Sequence, residues 1–318
     1  MLTELMNSLQ QGVAPLIALI VLGFIWRVKQ PAGLSVVDTR RTINALVLYL
    51  FYPGIAYDVI SRVQFGREIF LVPASVWLRL LAAMGLAWLI FSRLRKPWQI
   101  SNPAMGALLI GCSFGNILSM GIAVLTSLFG PDAARYPIYA DVIGLSLLYW
   151  TVGAGVASVM GTRDQSFHLG GFALTILKMP PVWAFFAALA VNLLALPMPL
   201  WVGKTAHLLG QAVVPSMLLT VGMSISLDVV KRSPRMILLA SSIKLIVMPL
   251  LIAAITIPLL GLTEVSKVMI LLAGMPTMMA TILLSERFGL DTEVLAAVMV
   301  VSTLGFFFTL PVMVFLLI

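Results

Sequence analysis

Two stretches decide how this chain is read: Ile110–Asp132, I-G-C-S-F-G-N-I-L-S-M-G-I-A-V-L-T-S-L-F-G-P-D, and Leu271–Asp291, L-L-A-G-M-P-T-M-M-A-T-I-L-L-S-E-R-F-G-L-D. At an offset of 159 positions Gly115 falls on Gly274, Phe129-Gly130 on Phe288-Gly289, and Asp132 on Asp291. Each stretch is too apolar for a loop and too interrupted for a plain helix. At Ser113-Phe114-Gly115-Asn116 the glycine and the self-bonding Ser and Asn side chains favour a non-helical link, and at Gly274-Met275-Pro276 the proline cannot donate to a helix ladder. Interrupted membrane helices at matching positions of two halves point to a secondary transporter with its site between the repeats.

The surroundings of both stretches fit a membrane. Of 318 residues, 61% are apolar and 10% charged, and the mean hydropathy is +1.08. Apolar runs of roughly 20 residues recur along the whole length, which excludes a soluble globular surface and makes the lipid bilayer the first partner. The run near Val13 to Ile25 lacks a basic region before it and a small-residue cleavage site after it, so it reads as a retained helix, with the mature chain beginning close to Met1. The single cysteine, Cys112, excludes an intramolecular disulfide and a cysteine metal cluster. No metal or cofactor is expected. The net charge of +8 comes from residues scattered through short connections, so it orients the chain in a bilayer rather than marking a nucleic-acid partner.

The coarse pattern predicts an all-α polytopic membrane protein with ten transmembrane helices, near 13–29, 42–60, 68–91, 103–130, 137–160, 181–199, 206–228, 235–259, 266–289 and 292–317. Helices 4 and 9 carry the breaks. Residues 1–160 form a first five-helix repeat, 161–180 a cytoplasmic linker and 181–318 a second repeat. Alternate connections hold thirteen Lys and Arg on one side, among them Arg40, Arg41, Arg93, Arg95 and Arg287, and five on the other, Arg62, Arg67, Arg135, Lys204 and Lys267. The positive-inside bias puts both termini outside the cytoplasm, on the periplasmic side of a bacterial inner membrane. Five spans per half is an odd number, so the second half enters with opposite orientation and a shared fold becomes an inverted repeat. Pro53 and Pro215, 162 positions apart, match as hinge candidates.

Chemistry is expected at the breaks. Half-helices beginning near Asn116 and Thr277 would aim free N–H groups and positive dipole ends into a cavity, which favours an anion. Arg79 and Lys244 fall near mid-depth, and Asp58, Glu68, Asp141 and Glu264 are placed near the outer ends of their spans, so no carboxylate is expected at equal depth. Two unpaired mid-depth cations imply either an anionic substrate or the carbonyl-rich end of a half-helix as counter-ligand. In the second case each cation stands where other transporters hold sodium. The substrate-binding candidates are therefore Ser113, Gly115, Asn116, Met275, Pro276, Thr277, Thr281, Arg79 and Lys244, with Ser75 one turn before Arg79 and the mid-span amide of Asn192 as supporting residues. His168 and His207 lack metal-ligand spacing. An intramembrane enzyme would need a nucleophile–base pair or metal ligands at depth; H-E-x-x-H does not occur, and the one G-x-S-x-G, Gly111-Cys112-Ser113-Phe114-Gly115, has no histidine in the same span.

Asn116 followed by M-G-I-A-V-L and F-G, A-G-M-P-T in the second break, V-V-P-S-M-L-L-T-V-G-M-S in span 7 and the closing T-L-P-V-M-V-F-L-L resemble the auxin efflux carrier family, in particular its bacterial members. The resemblance implies a scaffold of helices 1, 2, 6 and 7, with possible homodimerisation through it. It also implies a mobile unit of helices 3–5 and 8–10, crossover residues at Asn116 and Pro276, and alternating access by an elevator-like motion. The substrates it implies are small organic anions such as mono- or dicarboxylates. Plant members carry a proline where this chain has Gly115, another where it has Ala123, and an acidic residue where it has Ser75. The fold resembles that of sodium–bile acid symporters, so a sodium-coupled symporter of that type, or a channel or sensor on the same fold, stands as the alternative.

Overall fold

A computed structural model describes residues 14–62, 66–162, 180–197, 199–224 and 234–317. The described residues are helical apart from connections and one isolated antiparallel bridge. In chain order the helices are α1 (Ala14–Lys29), α2 (Val36–Ile60), α3 (Glu68–Leu94), α4a (Asn102–Ser113), α4b (Ile117–Phe129), α5 (Pro131–Met160) and α6 (Pro180–Leu193). There follow α7 (Leu200–Met223), α8 (Pro234–Leu260), α9a (Glu264–Ala273), α9b (Thr281–Phe288) and α10 (Thr292–Leu317). Six of these, α2, α3, α5, α7, α8 and α10, are long and apolar enough to cross a membrane. Most of the expected linker, residues 163–179 with His168, lies outside the described residues.

Local chemistry accounts for most helix ends. Ser101 caps α4a by accepting from the Ala104 N–H, Thr263 caps α9a by accepting from Ser266, and Asp291 Oδ1 accepts from the Val294 N–H at the start of α10. Both half-helices that follow the breaks stop at a glycine with positive φ, Gly130 at 88° and Gly289 at 74°, a conformation only glycine adopts freely. Three starts differ from the sequence reading. α2 begins at Val36 rather than near 42 because Ser35 caps a polar first stretch with no buried residue, which carries no apolar signal. α7 begins at Leu200 rather than near 206. α5 begins at Pro131, a proline accepted in a first turn, rather than near Pro137.

The helices divide between two compact units. One takes in the described residues of Met1–Arg67, Leu118–Val142 and Leu174–Ile225, the other those of Glu68–Ile117, Ile143–Ala173 and Ser226–Ile318. In the first unit α1 and α7 approach backbone to backbone through Gly23 and Gly222: a Cβ on Gly222 would lie 2.0 Å from the Ile20 carbonyl oxygen, and one on Gly23 2.2 Å from that of Leu219. Small residues permit this approach where no water is available to drive association. Pro53 follows a π-helical segment, Val47–Phe51, whose wider register absorbs the missing donor, and Pro215 lies in the first turn of the second part of α7, Val213–Ser224. Asn192 Nδ2 donates to the Ile60 carbonyl at 2.9 Å, an interhelical bond. Asp58 joins Arg62, and its other oxygen lies 3.0 Å from His207 Nδ1.

In the second unit Val72, Val76, Leu80, Ala83, Ala87 and Phe91 of α3 recur every three or four residues and form one buried stripe. All ten residues of α4a from Ala104 to Ser113 are buried, so this short helix is enclosed by protein on every side. Gly111 of α4a admits Val298 and Leu295 of α10 at 3.1 and 3.3 Å from where its Cβ would stand.

Candidate functional site

α4a runs to Ser113 and α9a to Ala273, and beyond those points the backbone of both leaves the helix. The two unwound segments pair with each other. The Asn116 N–H donates to the Pro276 carbonyl at 2.7 Å, the Met278 N–H donates to the Phe114 carbonyl at 3.0 Å, and Gly115 stands opposite Thr277 in the antiparallel bridge. Pro276 offers no donor and none is needed there, because its carbonyl makes the bond. Each break therefore satisfies backbone groups of the other, which is what permits non-helical chain inside a dry core.

Side chains secure the pairing. The Thr277 hydroxyl donates to the Gly111 carbonyl at 2.8 Å, its N–H donates to Ser302 Oγ at 3.0 Å, and Ser302 Oγ donates to Thr277 Oγ1 at 3.2 Å. Tyr149 Oη donates to the Ala280 carbonyl at 2.8 Å, just before α9b, and its ring packs edge-on against Phe114 with centroids 5.8 Å apart.

Two cations sit at the closing end of α4a. Arg79 on α3 donates from Nη1 to the Ser113 carbonyl at 3.1 Å, and Lys244, in a π-helical segment of α8, donates from Nζ to the Cys112 carbonyl at 3.2 Å. These carbonyls lack intrahelical donors and carry the negative end of the helix dipole, which favours cations there. Both side chains are buried, at 1% and 0% exposure, and neither forms an ion pair among the described residues. The second guanidinium nitrogen of Arg79, Nη2, is buried without a hydrogen-bond partner, 3.6 Å from where a Cβ on Gly115 would stand. The Asn116 side chain, 6% exposed, also makes no hydrogen bond among the described residues. Positive charge without a carboxylate, beside two unused donors, is an environment for an anion.

Residues 9–314 match the family described as "Membrane transport protein". The chain belongs to this family, the auxin efflux carriers. It is a multi-pass membrane protein. It is 23% identical over 307 residues to an "Uncharacterized transporter" of Methanothermobacter thermautotrophicus, covering 95% of this chain and 96% of the relative. It is 24% identical over 300 residues to a "Putative malonate transporter" of Rhizobium meliloti, covering 92% and 90%. To "Uncharacterized transporter YfdV" of Escherichia coli K12 it is 22% identical over 312 residues, covering 95% of each.

In this member of the auxin efflux carrier family the residues singled out in the sequence fall into three groups. Ser113, Gly115, Asn116, Met275, Pro276, Thr277, Arg79 and Lys244 come together at the crossing. Ser75 lies one turn from Arg79 and is buried, but its hydroxyl already donates to the Val72 carbonyl at 2.6 Å. Asn192, Pro53 and Pro215 belong to the other compact unit. Several hydroxyls expected to face a ligand are occupied: Ser113 Oγ by the Leu109 carbonyl, Thr281 Oγ1 by the Met278 carbonyl, and Thr277 as described.

The second half-helix starts at Thr281, not near Thr277, because the bridge to Gly115 holds Thr277 extended and a turn follows it. The N–H groups of Thr281 and Ile282 bond to the Met278 and Met279 carbonyls at 3.2 Å each, so this end is partly satisfied. Residue matching also shifts along the repeat. The starts of α4a and α9a, Asn102 and Glu264, and the bridged pair Gly115 and Thr277, are both 162 positions apart, the spacing of Pro53 and Pro215, whereas the ends Phe129 and Phe288 are 159 apart. The second copy is three residues shorter after the crossing.

Sequence reasoning did not identify Ser302 or Tyr149. The only local signal for either was a polar group inside an apolar run.

Proposed function

We propose that the chain is a secondary transporter of small organic anions, mono- or dicarboxylates, which it carries by alternating access around the crossing of α4 and α9. The observation that carries this reading is the buried, unpartnered Arg79 Nη2 at the paired breaks, 3.6 Å from where a Cβ on Gly115, the residue before Asn116, would stand. A carboxylate there would complete both donors and compensate two buried cations at once. Malonate enters as a probe because a relative bears its name. The division into two compact units supports a cycle in which α3, α4a, residues 143–160 of α5, α8, α9 and α10 move as one body. The common spacing of 162 supports an inverted repeat, and the basic bias supports termini on the periplasmic face of a bacterial inner membrane.

The cycle is sodium-independent in this reading. Lys244 and Arg79 occupy the carbonyl end of α4a, where a sodium ion would otherwise compensate the same dipole. The test is a thermal-shift titration of the purified protein with malonate, other dicarboxylates, monocarboxylates and indole-3-acetate, with sodium or choline as counter-ion. A ligand at 100 times its Kd stabilises by about 2.7 kcal/mol. Stabilisation by one carboxylate class, equal in both salts, is expected. Silence toward every anion would overturn the substrate class, and a response seen only with sodium would overturn the coupling.

Asn116→Ala is expected to weaken carboxylate binding by about 1.5–3 kcal/mol, the loss of one bond to a charged group. Unchanged affinity in the same titration would remove Asn116 from the ligand shell.

A further inference from the structure

The first compact unit holds a buried carboxyl that the crossing does not use. Asp141 is 7% exposed and lies ten residues into α5, about 15 Å along the helix at 1.5 Å per residue, not near its end as the sequence reading had it. It belongs to a π-helical segment, Ala140–Leu145, a distortion found often at functional positions. Ile138, Tyr139 and Ala140 before it are wholly buried. Tyr52 of α2 is also wholly buried, its hydroxyl has no hydrogen-bond partner, and its segment, Tyr52–Ile60, packs against Pro131–Tyr139, the turns of α5 that lead to Asp141.

Among the described residues no cation pairs with Asp141. Of the segments packed in this region, Ile122–Phe129 of α4b and Pro180–Leu193 of α6 carry no ionisable side chain. Tyr52–Ile60 of α2 carries Tyr52, Tyr57 and Asp58, and besides Asp141 α5 itself carries Asp132, Arg135, Tyr136, Tyr139 and Tyr149. An uncompensated charge within a membrane helix costs at least a few kcal/mol, and binding one proton removes that cost. The Tyr52 hydroxyl can serve both states, donating to the carboxylate and accepting from the acid. A metal cation needs several strong ligands, and among the described residues no group of three His, Cys, Asp or Glu side chains is placed to hold one.

We propose that Asp141 is a proton-binding site, with Tyr52 as its hydrogen-bond partner, and that this carboxylate takes up and releases one proton for each anion carried. Proton binding at Asp141 stands on the geometry of α2 and α5 alone; the coupling rests on the carrier reading given above.

Two experiments separate them. Infrared difference spectroscopy of the purified wild-type protein, stepped between pH 5 and pH 8, should show a carboxylic acid C=O band that disappears in Asp141→Asn and shifts in Tyr52→Phe, where the hydroxyl partner is lost. The Tyr52→Phe shift carries the assignment if Asp141→Asn does not fold. No such band in the wild type, a band unmoved by either variant, or the same difference spectrum raised by sodium at fixed pH would overturn the site. In proteoliposomes, an inward proton gradient should drive malonate accumulation up to about tenfold per pH unit for one coupled proton. Asp141→Asn should exchange malonate without accumulating it. Gradient-independent uptake by the wild type would overturn the coupling. Absence of malonate transport in any condition would count against the carrier reading and leave the infrared result standing.

Discussion

Arg79→Ala is expected to abolish carboxylate binding while leaving the unliganded fold intact. In the complex the guanidinium would form a desolvated charge pair, and truncating one partner of such a pair costs about 2–5 kcal/mol, at least roughly thirtyfold in Kd. In the unliganded protein the balance differs. Arg79 contributes one charge-assisted bond to the Ser113 carbonyl, worth about 1.5–3 kcal/mol, while the desolvation of its buried charge carries an opposing cost of several kcal/mol. Removing both changes stability little, so the melting temperature should stay near wild type while the shift produced by malonate vanishes. Arg79→Lys is the control. It keeps the charge and reaches toward Ser113 but loses the planar second donor, so it should bind between wild type and alanine. Wild-type affinity in a folded Arg79→Ala protein would retire the residue from the site and leave it as a cap on α4a.

Gly222→Ala should be the most damaging small substitution in the first unit. Its new methyl would stand 2.0 Å from the Ile20 carbonyl oxygen and 2.8 Å from the Phe24 nitrogen, both backbone atoms that cannot rotate away. α1 and α7 would have to separate, and overpacking of this kind costs about 1–3 kcal/mol or more. Gly85→Ala provides the contrast. Nothing lies within 4 Å of its Cβ position in the middle of α3, so it should stabilise by up to about 1 kcal/mol through helix propensity. Equal melting temperatures for Gly222→Ala and wild type, measured on the same detergent-solubilised preparation, would contradict the close approach.

Where each feature could be read depends on the range over which its cause acts. The breaks at Ser113–Asn116 and Gly274–Pro276 were visible because their causes are local: a proline without a donor, a glycine without a Cβ, side chains that bond their own backbone. The stops at Gly130 and Gly289 were visible for the same reason. The start of α2 was not, since capping by Ser35 precedes a polar stretch that carries no membrane signal. A fixed offset of 159 placed Gly115 on Gly274 and concealed the three residues by which the second copy is shorter after the crossing. Thr277 and Thr281 read as ligands because a hydroxyl near a break has no partner in the sequence. The partners, Gly111, Ser302 and Met278, come from the packed arrangement of α4a, α10 and the turn before α9b.

The sequence by itself determined a membrane-embedded helical chain, the family to which it belongs, the positions where two helices break, and the presence of two basic residues deep within α3 and α8. Composition and the covalent properties of Gly and Pro suffice for these. Only the tertiary structure decided what the unwound segments bond to and how the two cations are held. Arg79 reaches a carbonyl 34 positions away and Lys244 one 132 positions away, both at the same helix end. No periodicity encodes such pairings. They arise because buried carbonyls at the end of α4a must find donors, and the packing of α3 and α8 against α4a brings those donors within reach, leaving one guanidinium nitrogen and one amide unsatisfied at the crossing.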